Sequence, residues 1–260
     1  MIPYFPAPKF HLYGDVSYHL FGFLVSLGII LGILFVYKQS AKAGIEKLEI
    51  TKSLWATLGL GFLLSHVVSI LFYHPERINS EGLLVLLKFW DGMSSLGGFL
   101  GGFLGMAIMF KRLKTKAWIM TDIILQALII GWVFGRLGCA FAHDHPGALT
   151  DFFLAFNYPG GPRHNLGFYE FLFTLFILLP YSFILQKRKP QPGTLVAWTC
   201  LLYSLTRFGL DFLRASDIPG ANIRYLGLTF AQHGCIFLFL FGTWLFFHLK
   251  KNLINSYEFQ

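Results

Sequence analysis

Seven stretches of this chain are apolar at or near the length that crosses a bilayer, and that limits the fold more than any other feature. They lie near residues 18–37, 53–73, 94–110, 118–135, 167–186, 194–212 and 228–248. A helix rises about 1.5 Å per residue, so roughly 20 residues span a hydrocarbon core about 30 Å thick. No water in that core can satisfy a peptide group, and a lone apolar run can therefore cross it only as a helix. With 55% hydrophobic and 13% charged residues, the chain also lacks the polar surface of a soluble domain. The expectation is an all-α polytopic membrane protein of about seven transmembrane helices, forming a single transmembrane domain over residues 1–260.

The basic residues orient it. Lys38, Lys42, Lys47 and Lys52 form one cluster between apolar runs, Lys111, Arg112, Lys114 and Lys116 a second, Lys187, Arg188 and Lys189 a third, and Lys250 with Lys251 a fourth. These hold 13 of the 21 lysines and arginines and fall on one side, which the positive-inside rule makes cytoplasmic. The N-terminus then lies outside and the C-terminus inside. The formal charge of +8 is divided among these clusters and forms no continuous basic face, which excludes nucleic acid as a partner. Residues 136–166, the longest non-apolar stretch, also fall outside, and Tyr158-Pro159-Gly160-Gly161-Pro162 within it predicts turns over the bilayer surface. This insertion is expected to form a small periplasmic head. Cys139, Cys200 and Cys235 show neither CxxC nor His/Cys ligand spacing, so no disulfide framework and no metal site is expected.

Charges at or just inside the helix ends are costly and need a reason. Arg136, in Gly135-Arg136-Leu137-Gly138-Cys139, is either a snorkelling anchor or a fork for a lipid phosphate, which arginine grips bidentately while staying charged. Arg207, Asp211 and Arg214 stand at i, i+4 and i+7 on one helical face. That face is either an internal salt-bridge ladder or, with two cations to one carboxylate, a seat for an anion. Glu170, beside Tyr169 at the start of the fifth run, suits the positive end of a helix and could equally pair with Arg136 or Arg207 across the bundle. His143 and His145 flank Asp144; imidazole suits proton transfer near neutral pH, although loop histidines are mostly solvated. Nothing beside Cys139 activates it as a nucleophile, and a small buried residue is the simpler reading. Gly97, Gly101 and Gly105, with Gly98 and Gly102 beside them, make a small-residue face for close helix packing or for a glycine floor under a lipid head group.

Four motifs, FWDGMSSLGGFLGG at 89–102, GRLG at 135–138 followed by Asp144, HNLGFYE at 164–170 and LTRFGLDFLRASD at 205–217, occur in this order. Together they resemble the prolipoprotein diacylglyceryl transferases of bacterial plasma membranes, with a likeness running from about residue 18 to Gln232. The resemblance implies a seven-helix fold with a periplasmic head. It also implies an activity that moves diacylglycerol from phosphatidylglycerol to the lipobox cysteine of a prolipoprotein, releasing glycerol-1-phosphate. Arg136 and Arg207 would hold the phosphate and stabilise the leaving group, and Asp211 and Arg214 would order the site. The candidate catalytic residues are thus Arg136, Arg207, Asp144 and His143. The candidate substrate-binding residues are Gly97, Gly98, Gly138, Cys139, Tyr169, Glu170, Asp211 and Arg214. Neither a metal nor an organic cofactor is implied. The implied partners are phosphatidylglycerol, the signal-peptide segment of a prolipoprotein, and membrane lipids entering sideways from the outer leaflet.

The departures from the family pattern concern proton-transfer groups. A histidine before the paired glycines is Leu96 here, an asparagine is Cys139, two glutamates are Asp144 and Asp211, and a tyrosine of the first helix is Phe21. If Leu96 replaces a base, His143 or His145 must supply it. The retained arginines speak for a phospholipid donor more than for any acceptor. Two other readings therefore stay open: a relative with another acceptor, and a membrane protein that binds phospholipid without transferring it.

Overall fold

The computed structural model describes residues 1–6, 9–13, 16–88, 92–218 and 224–258. Its long helices are α1 (Leu20–Lys42), α2 (Lys47–Phe72), α3 (Ser95–Leu113), α4 (Ala117–Ala142), α5 (Leu166–Lys187), α6 (Thr194–Leu210) and α7 (Phe230–Glu258). Among the described residues, five of these, α1, α2, α4, α5 and α7, are long and apolar enough to cross a membrane, as a polytopic membrane protein requires. α6, with 17 residues, is shorter, and α3 carries five glycines. Large apolar side chains stand on the outside of the helices, with Phe176 68% and Phe237 67% exposed. Such a surface suits hydrocarbon, not water. Pro180 has no N–H to return to the preceding turn, and α5 takes a π-turn over Thr174–Leu178 just ahead of it.

Packing divides the chain into two compact units, Phe35–Ile123 and Met1–Leu34 with Ile124–Gln260. In the first, α2 and α3 lie in backbone contact. A Cβ on Gly97, Gly101 or Gly105 would sit 2.2, 2.1 or 2.6 Å from the carbonyl oxygens of Leu64, Leu60 and Ala56 respectively. The four-residue glycine spacing is thus a helix-packing seam, with Gly98 and Gly102 at its margin, where a Cβ would meet Ser65 and Thr57 at 4.0 Å. The seam is pinned at its start by Ser94, which caps α3 and whose carbonyl accepts from the Ser65 hydroxyl at 2.7 Å. Phe89, Trp90 and Asp91, which open one of the family-like motifs, lie outside the described residues, as does the Leu96 side chain.

In the other unit α1 crosses α4 at paired glycines, where a Cβ on Gly28 would lie 3.0 Å from the Gly131 carbonyl oxygen. α6 and α7 run along each other, with Gly242 against Ala197 and Cys200. Short strands fill the ends: β1 (Ile2–Pro3), β2 (Lys9–Tyr13) and β3 (Val16–His19) before α1, β4 (Pro146–Leu149), β5 (Phe156–Tyr158) and β6 (Gly161–Asn165) between α4 and α5, and β7 (Arg224–Tyr225) and β8 (Leu228–Thr229) before α7. Strands β1, β5, β6 and β4 form one sheet in that order. The all-α expectation needs this amendment: the polar insertion folds as a small sheet, because its backbone groups must find partners without a continuous apolar helix face. The Pro/Gly turn falls where the spacing predicts it, joining β5 to β6 with Gly160 at φ 95°.

The glycine seam gives a direct check. Gly101→Ala should lower stability by about 1–3 kcal/mol through overpacking, whereas Gly102→Ala should leave it unchanged or raise it slightly. Thermal unfolding in detergent, followed by size-exclusion retention, distinguishes them; equal stability of the two variants would contradict the seam.

Candidate functional site

The sequence reading ends the fourth span near residue 135, yet α4 continues through Arg136 to Ala142. The helix need not stop at the arginine because the charge is met where it stands. Nε of Arg136 lies 2.9 Å from Oε2 of Glu170 on α5, and its guanidinium sits 4.5 Å from the centre of the Trp132 ring one turn back. Oε1 of Glu170 lies 3.1 Å from Nη1 of Arg207 on α6, whose Nη2 is 2.9 Å from Oδ1 of Asp211. The same Asp211 oxygen accepts from Nε of Arg214 at 2.5 Å, and Oδ2 accepts from the hydroxyl of Thr229. Alternating charges thus run from the end of α4 across the start of α5 to the end of α6 and the entry to α7.

Burial makes this arrangement consequential. The Glu170 side chain is 2% exposed and that of Asp211 0%. Unpaired charges in such places would cost several kcal/mol each. Among the described residues the cluster holds three guanidinium groups against two carboxylates, leaving one positive charge over. The ladder and the cationic surplus are therefore both present. Nη1 of Arg207 is buried and, although ion-paired, has no aligned hydrogen-bond acceptor among the described residues. It retains donor capacity for an anionic oxygen.

The entry to α7 locks Asp211. The Thr229 N–H donates to Oε1 of Gln232 at 3.0 Å, and the Gln232 N–H donates to the Thr229 hydroxyl at 3.2 Å, a reciprocal capping box. Thr229 can then turn its hydroxyl proton toward Asp211. The T-x-x-Q spacing was legible in the sequence but went unread. Trp132 stood one helical turn before Arg136 and was likewise missed, as was Tyr203, which packs edge-on against it.

The sheet fixes the other candidates. Asn165 caps α5 by accepting from the Phe168 N–H at 3.0 Å and ties back to α4 by donating to the Ala140 carbonyl at 3.0 Å. Tyr169 follows on α5, its hydroxyl 2.8 Å from Nδ1 of His164. His143 is not a solvated loop histidine. Its Nε2 donates to the Phe5 carbonyl at 2.8 Å and its Nδ1 lies 3.1 Å from the Tyr158 hydroxyl, inside a nest that includes Tyr4 and Phe156. Asp144, next in the chain, is exposed and lies 3.0 Å from Nδ1 of His145. Gly138 sits under the Phe21 ring, and Cys139 packs on Gly167. Arg136, Asp144 and Glu170 lie around the Cys139 side chain. Gly97 and Gly98 belong to the other compact unit, in the packing seam described above. At the far edge of the sheet Arg163 donates to the Gly147 carbonyl at 3.3 Å and forms a two-pronged ion pair with Asp217 in the segment after α6.

A family model described as prolipoprotein diacylglyceryl transferase matches residues 8–248. Curated relatives carry the name phosphatidylglycerol–prolipoprotein diacylglyceryl transferase. The protein of Campylobacter lari is 26% identical over 96% of each chain. That of Zymomonas mobilis is 30% identical over 96% of this chain and 91% of its own, and that of Mannheimia succiniciproducens 30% over 84% and 81%.

Two predictions follow from the charges. Glu170→Ala should strip the counter-ion from two buried arginines and lower stability by about 3–5 kcal/mol. Glu170→Gln, which keeps the shape, should cost less; the order of their melting temperatures in detergent checks this, and the reverse order would sink it. The second concerns pH. The hydrogen bond from Arg163 holds the Asp217 carboxyl below the usual carboxylate range. A depressed folded-state value means that the stabilisation is present above the unfolded value of about 4 and is lost as pH falls through the folded one. Hydrogen exchange in β6 should therefore accelerate below about pH 4 in the wild type, and in Asp217→Asn should already be fast at neutral pH.

Proposed function

Since the chain belongs to the prolipoprotein diacylglyceryl transferase family, we propose that it moves a diacylglyceryl group from phosphatidylglycerol to the lipobox cysteine thiol of a prolipoprotein. Glycerol-1-phosphate leaves. The observation that carries this reading is the buried arginine cluster, with three guanidinium groups to two carboxylates among the described residues and an Arg207 nitrogen that has no aligned acceptor among them.

The sulfur attacks the glycerol carbon that bears the phosphate, a C–S bond forms, and the C–O bond to the phosphate breaks. The donor phosphodiester carries one negative charge and the departing monoester two when fully ionised. Guanidinium groups near those oxygens therefore gain more in the transition state than in the ground state, which is the condition for catalysis. Arg136 and Arg207 hold the phosphate in this scheme, while Glu170, Asp211 and Arg214 fix where those forks point. Asp144, exposed near Cys139, takes the thiol proton, and His143 beside it holds the loop in place. Gly138, Cys139 and Tyr169 form the adjoining wall.

The same reading gives the protein seven spans in a bacterial plasma membrane, with α3 and α6 completing the set. The sheet between α4 and α5 is then the periplasmic head, the N-terminus lies in the periplasm and the C-terminus in the cytoplasm. Phosphatidylglycerol and the signal-peptide segment of the acceptor meet at the outer leaflet.

Purified protein given phosphatidylglycerol and a lipobox peptide should add one diacylglyceryl mass to the peptide. Arg207→Lys, which keeps the charge and loses the fork, should reduce transfer on the order of 100-fold while the protein still elutes as a folded species. Absence of any mass gain beside an active relative would overturn the reading. Release of glycerol phosphate without peptide modification would redirect it to another acceptor.

A further inference from the structure

Two of the four basic clusters, separate in sequence, meet in space. Lys116, at the end of the α3–α4 connection, donates from Nζ to the Gly44 carbonyl of the α1–α2 connection at 2.6 Å. Nη2 of Arg112 on α3 and Nζ of Lys52 on α2 both reach Oε1 of Glu49, at 3.3 and 3.0 Å. All of these residues belong to the Phe35–Ile123 unit. Residues 38–52 and 111–116 together bring eight lysines and arginines to this end of the helices against two carboxylates, Glu46 and Glu49. Lys42, Lys47, Arg112, Lys114 and Lys116 are exposed.

Within these segments the charges are unevenly matched. Glu49 serves two cations at once, and the carbonyl under Lys116 carries no formal charge. Lys47 opens α2, the end of a helix where the backbone dipole disfavours a cation. Like charges gathered this closely repel over a screening length of about 10 Å at 0.1 M salt. Closing the two connections onto each other is therefore favoured by an anion lying over them. The apolar residues beside the patch indicate which anion. Leu48, 60% exposed, and Trp55, 75% exposed, stand seven positions apart on one face of α2, a helix long and apolar enough to cross a membrane. Trp118, near the start of α4, packs edge-on against Phe110. Tryptophans gather where hydrocarbon gives way to head groups. A cationic end next to an exposed leucine and tryptophan fits a phosphate joined to an acyl chain, a combination that a nucleic acid or an acidic protein lacks.

We propose that the joined α1–α2 and α3–α4 connections form a binding surface for anionic phospholipid head groups of the facing leaflet, made by residues other than the buried arginine cluster. Basic residues beside a membrane are drawn to anionic head groups in this way. With phosphates over them, the two connections close and hold the start of α2 against the end of α3, the helix pair that the glycine seam packs. The surface does not depend on the transfer reaction. It rests on the orientation proposed above only for the leaflet concerned, which is then the inner one.

The test uses the full-length protein in phosphatidylcholine nanodiscs doped with phosphatidylserine, or with phosphatidylcholine, bearing a photoreactive diazirine near the head-group end of one acyl chain. Phosphatidylserine is anionic and lacks the glycerol head of the proposed donor. Cross-linked peptides are located by mass spectrometry. Phosphatidylserine should label residues 38–55 and 110–118 roughly tenfold more than phosphatidylcholine does, a preference that shrinks as salt rises from about 0.05 to about 0.5 M. Lys114→Gln combined with Lys116→Gln should lower phosphatidylserine labelling there on the order of tenfold. Lys250→Gln combined with Lys251→Gln removes the same charge from another cluster and should leave that labelling unchanged. If the Lys114 and Lys116 variant does not fold, Lys42→Gln combined with Lys47→Gln removes two cations and keeps the Gly44 contact. Equal labelling by the two lipids at low salt would overturn the proposal, as would labelling unaffected by a folded double variant or lowered as much by the Lys250 and Lys251 pair. Transfer to a lipobox peptide, measured on the same samples, reports on the arginine cluster instead, so the two readings fail separately.

Discussion

A single carboxylate, Glu170, lies between two arginines brought from different helices, and much of the site's architecture depends on it. Arg136 on α4 and Arg207 on α6 would repel each other in a poorly screened interior if nothing stood between them. Glu170, 2% exposed at the start of α5, lets both approach and yet cannot neutralise both. Asp211 repeats the device one step further along by serving Arg207 and Arg214. As a stability device this would be a poor choice, since well-packed apolar residues commonly match or exceed a buried ion pair. The cluster makes better sense as a means of holding guanidinium groups still, with an excess of cations over carboxylates among the described residues.

Holding them still requires structure outside the helices, and that accounts for much of the sheet. Asn165 joins the last turns of α4 to the first turn of α5, the interval across which Arg136 and Glu170 must meet. His143 adopts a left-handed backbone, φ 54°, and is gripped through both ring nitrogens by the N-terminal segment and β5. A non-glycine residue held there stores strain that surrounding contacts must offset. Its neighbour Asp144 is left exposed at a fixed position. On the other flank Gly147 bridges to Arg214, and Arg163 reaches Asp217, so the strand pair also steadies the chain that leaves α6.

What could be read from the amino-acid order divides along the range of the interactions. Helix positions were legible, because apolar length is a local property, and so was the pairing of Arg207 with Asp211; the single helical face was not borne out, since α6 ends at Leu210, Asp211 opens a tighter 3-10 turn, and Arg214 reaches it from extended backbone. The continuation of α4 past Arg136 was not, since its cause is a glutamate on another helix. The small sheet was also hidden: β1 pairs with β5 across more than half the length of the chain, and no local alternation announces such a pairing. His143 read as a loop histidine because the Phe5 carbonyl and the Tyr158 hydroxyl that hold it are remote in sequence. The glycine repeat admitted two meanings, and the distances show close helix packing at Gly97, Gly101 and Gly105.

In the proposed reaction total charge is conserved, and the question is where the negative charge moves. Before transfer, the phosphodiester holds one negative charge beside the arginines and Asp144 holds another at the exposed edge of the site. After transfer, Asp144 carries a proton and the leaving phosphate holds both charges. One unit of negative charge has then shifted from solvent to the neighbourhood of the surplus guanidinium, where low polarisability makes the attraction stronger than it is in water. That displacement favours the forward step without a metal and without a strongly basic side chain. In that scheme the side chains around the arginines serve to hold the guanidinium groups where the new charge forms.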